Sequence, residues 1–268
     1  MLKLLGTVFG FALFAGPLMA EPITPDIVRA LAPSGQLRAA INFGNPVLAQ
    51  KDAATGEPRG VTADLARELA KRLGVAVTFI GYDTALKVFE AAKSNAWDIA
   101  FLAIDPVRAA DMDFTAPYVI IEGTYAVPEG SPFHSAAELD RPGVRIAVGR
   151  GSAYDLYLTR TLKHAELVRG EGSDGAFQLF LFSAKKVDAV GGVRQPLVAF
   201  AASQPGIRVL SDRFMAIEQA MATPKGRDAG TRYLKAFVEE MKESGFVAKA
   251  LAASGQAEAT VAPPAPLR

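Results

Sequence analysis

Ile99-Ala100-Phe101-Leu102-Ala103-Ile104 runs directly into Asp105-Pro106-Val107-Arg108, and Phe114-Thr115-Ala116-Pro117-Tyr118 begins six residues after the arginine. The apolar run reads as a strand buried on both faces, the pattern of a parallel sheet. Asp105 is a good N-cap and Pro106 fits the first helical position, so a short helix is predicted to start there. Such a helix holds Arg108 about one turn in, at a fixed place beside the strand end. Guanidinium is always charged, and its planar fork of donors suits a carboxylate. In isolation Arg108 also reads as a surface arginine paired with Asp111 or Asp113, and the surrounding chain has to decide.

Upstream, Leu37 to Ile41 reads as a buried strand ended by Asn42-Phe43-Gly44-Asn45-Pro46, and Gln50 to Arg59 as a loop or hairpin turning at Thr55-Gly56. Val61 to Leu73 is predicted helical, with Thr62 as cap, a Leu65, Leu69, Leu73 stripe and Gly74 at its end. Val75 to Ile80 is a strand and Thr84 to Ser94 a second amphipathic helix. Alternation of this kind implies parallel strands joined by crossover helices.

A second copy begins near Val144. Val144 to Val148 is a strand, Gly149-Arg150-Gly151-Ser152-Ala153 a loop, and a helix follows to about Lys163. Glu166 to Arg169 and Val187 to Val190 read as strands around a helix from Gly175 to Ala184. Gln195-Pro196 opens another helix, Ile207 to Leu210 is a further strand, and Asp228 to Glu243 is one strong final helix. Two similar α/β halves suggest two lobes: 21–123 with 216–255, and 124–215. Segments near Thr124 to Val127 and Ala216 to Thr223 would cross between them, and a two-segment hinge closes on a ligand by bending. Gln256 to Arg268 is rich in Ala and Pro without periodicity, and reads as a disordered tail.

Residues 1–20 carry Lys3, an apolar Leu4 to Leu18 run and Met19-Ala20, the layout of a signal peptide cleaved near Ala20. The run is shorter than the roughly 20 residues needed to span a bilayer. No second run follows, so an exported protein that is not embedded in the membrane is expected. The absence of cysteine excludes disulfides, thiol nucleophiles and cysteine metal sites. The two histidines, His134 and His164, are not spaced as ligands, and no metal or cofactor is implied. A formal charge of +1 leaves no nucleic-acid footprint.

Taken in order, these stretches resemble the family-3 extracellular solute-binding proteins, periplasmic receptors of polar-amino-acid ABC importers. Gly60-Val61-Thr62-Ala63-Asp64-Leu65 is similar to that family's G-x-x-x-D-L helix start, and Trp97-Asp98-Ile99-Ala100 to its G-x-x-D strand. Arg108 with Phe114 to Tyr118 is similar to its T-x-x-R…F-S-x-P-Y signature. Arg145 to Ser152 resembles its K-V-G-V-x-x-G-T/S loop, and Val187-Asp188-Ala189 its G-x-x-D-A strand. The resemblance implies an α/β, two-lobed periplasmic binding protein fold with the ligand cleft between lobes.

By the same resemblance Arg108 clamps a ligand carboxylate and Ser152 adds donors from the second lobe. Backbone N–H groups of Gly151, Ser152 and Ala153 at a helix start favour an anion on physical grounds as well; Ser152 also reads as a plain N-cap. Phe43 either covers the ligand or belongs to the core. Two departures stand out. Asp105 replaces the family's threonine, and serves either the helix N-terminus or a ligand ammonium. Val193, followed by Arg194, stands where amino-acid binders place the acid that holds the α-ammonium group. Arg194 is therefore read either as a second anion contact for an organic acid or as a solvent-facing arginine.

The resulting expectation is a monomeric periplasmic component of an ABC importer, closing on a small carboxylate-bearing solute, an amino acid or related organic acid. The permease would be its membrane partner, and a sensor is another possible client. The alternative is an exported cyclohexadienyl dehydratase-like enzyme on the same fold, with Glu122, Glu166 or Glu171 as general acid.

Overall fold

A computed structural model describes residues 22–183 and 186–266. Residues 1–20, read from the sequence as a leader, lie outside the described residues. In chain order the elements are α1 (Pro25–Leu31), β1 (Gln36–Asn42), the β2 (Gln50–Lys51) and β3 (Pro58–Arg59) hairpin, α2 (Val61–Leu73), β4 (Ala76–Tyr82), α3 (Ala85–Ala92), β5 (Ile99–Ala103), α4 (Pro106–Ala109) and β6 (Met112–Pro128). After a 3-10 turn at Ala136–Leu139 come β7 (Arg145–Gly149), α5 (Ala153–Thr161), β8 (Glu166–Gly170), α6 (Gly172–Phe182), β9 (Ala189–Val193), α7 (Arg194–Ser203), β10 (Ile207–Val209), β11 (Met215–Pro224), α8 (Asp228–Glu243), α9 (Phe246–Ala253) and β12 (Thr260–Val261).

The strands run β4-β1-β5-β11-β6-β9-β7-β8 through one continuous sheet that serves both lobes. β1 pairs in parallel with β4 and β5, and β7 in parallel with β8 and β9, as the strand–helix alternation predicts. β6 and β11 are the antiparallel bridge. β6 pairs with β11 as far as Gly123↔Met215, and from Gly123↔Val193 onward with β9. A Cβ on Gly123 would lie 2.8 Å from Met215 Cγ and 2.9 Å from the Phe214 ring, so any larger residue displaces those side chains.

Helices cover both faces of the sheet. On one side Leu37, Ile41, Leu65, Leu69, Phe237 and Val247 share a core that continues through Tyr125 and Ile217 into Ile146 and Leu158. On the other, Trp97 packs with Val88, Leu102 and Met112, and further along Ala147 and Val190 pack with Leu197 and Phe200. Trp97 Nε1–H donates to Val88 O at 3.0 Å, so the buried indole keeps no orphan donor.

Several details differ from the sequence reading. Gly60, not Thr62, occupies the N-cap of α2, while the Thr62 hydroxyl donates to Leu48 O. α6 starts at Gly172 and α7 at Arg194, and β9 extends to Val193. Asp228–Glu243 is not the last helix, since α9 follows it. Nor is 256–268 a loose tail throughout. Thr260 and Val261 pair with Ile120 and Val119 on the edge of β6 opposite β11, Ala262 N–H donates to Tyr118 O, and Ala265 N–H to Glu239 Oε2. An edge strand needs cover, and the segment supplies it. Among the described residues no helix is long and apolar enough to cross a membrane.

Candidate functional site

Strand β5 ends at Ala103 and the chain turns at once into α4. Asp105 caps that helix, its Oδ1 accepting from Val107 N–H at 2.9 Å. The four-residue helix carries Arg108 back against the strand end, where it is 1% exposed. One Arg108 Nη donates to Ala103 O and the other to Gly151 O, both at 3.0 Å. The pairing with Asp111 or Asp113 is absent; Asp113 is taken by Lys225 at 2.6 Å. Two carbonyl oxygens therefore hold a cation out of water with no carboxylate bonded to it, leaving part of its five-donor fork free. Burial draws the Arg108 pKa down to about 10, with the nearby Asp105 charge opposing.

The Gly151 contact crosses between lobes, and Arg108 lies on the wall of the cleft they enclose. On the first lobe the cleft is lined by Asn42, Asn45, Asp83, Leu102 and Ala103, with Ile217 and Gln219 from β11. The second lobe contributes Arg150, Ser152, Ala153, Tyr154, Ser173 and Val193. The space open to the centres of water molecules is about 60 Å³, enough for a few waters or a small solute. The lobes are closed on each other: a Cβ on Gly151 would lie 2.8 Å from Leu86, and Gly172 faces Thr84.

Ser152 is the N-cap of α5, its Oγ accepting from Asp155 N–H at 3.0 Å. It caps the helix and also lines the cleft. Gly151 N–H is already bonded to Asp155 Oδ2 at 2.8 Å and is not offered to a ligand. Ala153 and Tyr154 occupy the first helical turn, where N–H groups have no intrahelical acceptor and favour an anion. Tyr154 Oη is 3.2 Å from Ser173 Oγ, and burial pushes its pKa up.

Three residues that the sequence reading left between two roles are placed away from a ligand. Phe43 does not line the cleft; its ring lies against Gly81, with Lys51 Nζ 4.9 Å from the ring centroid, and it packs on the first-lobe core. Arg194 also faces elsewhere. Its Nε donates to Glu122 Oε2 at 2.6 Å and its terminal nitrogens to Leu210, Ser211 and Asp212 carbonyls, while Val193 faces the cleft. Asp105 spends its second oxygen on Arg160 of the other lobe at 2.8 Å, so it is a helix cap and inter-lobe contact.

The sequence reading missed Asn45 and Gln219, both buried on the cleft wall. Among the described residues Asn45 Oδ1 has no hydrogen-bond partner. The polar turn ending β1 was the available signal for Asn45, whereas Gln219 sits in a strand that composition leaves unremarkable. Glu122, Glu166 and Glu171 do not line the cleft, and Glu122 is held between Arg194 and Arg213. Among the described residues no cluster of His, Asp or Glu is arranged to hold a metal.

The model of the bacterial extracellular solute-binding proteins, family 3, matches residues 37–253. The chain belongs to that family. Family 3 is a family of extracellular proteins, and the two-lobed periplasmic binding protein fold is shared with solved structures. The receptor for L-cysteine of Neisseria gonorrhoeae superposes with a TM-score of 0.72 at 23% identity, over 85% of this chain and 92% of that one. AbpA of Streptococcus pneumoniae, an amino-acid ABC transporter substrate-binding protein bound to L-arginine, gives 0.70 at 21% over 85% and 98%. An ancestral amino-acid-binding protein, a precursor of cyclohexadienyl dehydratase, gives 0.70 at 24% over 84% and 98%. Among curated proteins none matches the sequence. The cleft beside Arg108 lies between the two lobes of that fold.

Proposed function

We propose that this family-3 protein is the periplasmic receptor of an ABC importer and closes its lobes on a small carboxylate-bearing solute. The observation that carries the reading is Arg108. A guanidinium 1% exposed, pinned by two carbonyl oxygens and aimed at a small cleft, lacks the anion that would balance it. A ligand carboxylate supplies that charge, and the first turn of α5 offers backbone donors beside it.

In that mechanism Arg108 takes the carboxylate from the first lobe, and Ser152 with Ala153 meets it from the second. Leu102, Val193 and Ile217 shelter the rest of the solute. Closure then brings both lobes onto one ligand and changes the face presented to the permease. The protein takes this role in solution after export through the 1–20 leader, as a monomer. The amino-acid receptors among its structural neighbours support the carboxylate class without choosing the ligand.

A thermal-shift panel of amino acids and organic acids on the leaderless, refolded protein tests the reading. A ligand at a hundredfold excess over Kd stabilises by about 2.7 kcal/mol, so a real solute gives a clear shift. Arg108→Lys keeps the charge but loses the fork. It is expected to weaken carboxylate binding about tenfold or more, consistent with about 1.5–3 kcal/mol for a charged hydrogen bond. Unchanged affinity in that variant, measured by calorimetry, would overturn the role of Arg108. Formation of phenylpyruvate from prephenate would convert the receptor into an enzyme.

A further inference from the structure

We propose that the cleft is built for a small hydroxycarboxylate and not for a zwitterionic amino acid, an inference that rests on reading the cleft as the solute site. The charges on its walls lead there. Arg108 is the buried cation of the interior, and Arg150 is an exposed cation at the rim. Among the described residues that line the cleft, Asp83 is the one carboxyl side chain. It is 78% exposed and 3.3 Å from Lys87 Nζ, so it is a hydrated, already paired group. Asp105 lies close, but its charge is already paired with Arg160, and its other oxygen caps the helix at Val107 N–H.

A carboxylate in this cleft balances Arg108. An ammonium group brought in with it adds a second buried cation near the guanidinium, and among the described residues the buried carboxylates beside the cleft already hold a cation, Asp105 with Arg160 and Asp155 with Arg169. Unpaired charge out of water is costly. The wall also presents Val193, Leu102 and Ile217, which offer an alkyl chain contact but no acceptor.

One polar requirement remains, and it is neutral. Asn45 is 8% exposed, and its Oδ1 is a buried acceptor without a donor. Leaving such an acceptor unfilled wastes its desolvation. A hydroxyl donates to it without importing charge. The ligand that satisfies all three conditions carries a carboxylate for Arg108, a hydroxyl for Asn45 and a short aliphatic remainder. The limited room in the closed cleft favours few heavy atoms.

Calorimetry with two matched sets of probes separates the alternatives. One set is L-lactate, L-alanine and propionate; the other is 2-hydroxy-3-methylbutanoate, L-valine and 3-methylbutanoate. Members of a set differ only in the group beside the carboxylate. In at least one set the hydroxy acid is expected to bind at least tenfold tighter than both companions. Asn45→Ala should bring the hydroxy acid down to the level of the unsubstituted acid, with the ligand-free melting temperature unchanged. Asn45→Asp puts a carboxylate at the same point and should turn the preference toward the amino acid. If an amino acid binds the unaltered protein as tightly as its hydroxy analogue, the inference is wrong and the carboxylate reading survives. Silence from both sets also overturns the inference. The carboxylate reading falls with it only if the broader panel of amino and organic acids is silent too.

Discussion

Asp98 and Arg108 are both removed from water, and the protein compensates them in different ways. Asp98, at 0% exposure, accepts from the Arg38 backbone N–H at 3.0 Å, from Arg38 Nε and Nη2, and from Arg227 Nη1 at 2.9 Å. Burial alone would raise its pKa, but these donors hold it below the ordinary carboxylate value. Arg108 has only carbonyl partners and a depressed pKa. The first charge is finished by folding; the second is left for something else to finish. Because the folded pKa of Asp98 is depressed, its stabilisation is complete above the unfolded value near 3.9 and disappears as pH falls through the lower, folded value. Asp98→Asn leaves two arginines short of their anion and is expected to cost about 3 kcal/mol at pH 7. Thermal midpoints followed from pH 6 to pH 3 should also fall less steeply in the variant than in the unaltered protein. Parallel curves would mean that Asp98 is not part of the acid response.

At the scale of elements, the loop between β7 and α5 decides whether the lobes can meet. Gly151 has φ +67 and lies under Leu86 of the opposite lobe. Gly151→Ala therefore meets both backbone strain, about 1 kcal/mol for a left-handed residue, and an inter-lobe clash. Its expected effect is weaker solute binding with a loss of folded stability limited to the strain, about 1 kcal/mol, because the clash exists only in the closed form; calorimetry and a melting curve on one preparation separate the two. The elements that could be read from sequence carry their own local signals. α2 has the leucine stripe and the Gly74 C-cap, α4 has Asp105-Pro106, and α5 has Ser152. Elements that escaped are held by contacts made elsewhere. α1 has only seven residues, and β12 is two residues stabilised by the edge of β6. β9 runs past the predicted Val190 to Val193: Gly191 and Gly192 weaken strand propensity, yet Tyr125, Val148 and Leu197 pack closely over them. With the strand running to Val193, the alternation of a strand puts Val193 into the cleft and turns Arg194 to Glu122. Arg108 and Ser152 were legible because capping chemistry fixes them locally, whereas Asn45 and Gln219 matter through what they face across the fold.

For the whole molecule, the closed arrangement depends on contacts that exist only when the lobes meet. Arg108 reaches Gly151 O, and Arg160 of α5 reaches Asp105 across the cleft. Asp105 is 4% exposed in its side chain while Arg160 is 40% exposed. Opening returns Asp105 to water and leaves it only the Val107 N–H bond, so the carboxylate loses little there. Closing desolvates it, and Arg160 is the charge that offsets that loss. Arg160 thus bears on the balance between open and closed forms without lining the cleft. A partly exposed pair contributes about 1 kcal/mol, or about a fivefold change in the closed-to-open ratio. Arg160→Ala is expected to enlarge the radius of gyration of the ligand-free, leaderless protein in small-angle scattering, and Arg160→Lys to enlarge it less. Melting temperature should barely move, because α5 keeps its Ser152 cap and its buried face. Added solute should bring the scattering of Arg160→Ala back to that of the unaltered protein, but at higher ligand concentration. Superimposable ligand-free curves for all three proteins would reduce the pair to an incidental contact and leave Arg108 with its bound anion as the main determinant of closure.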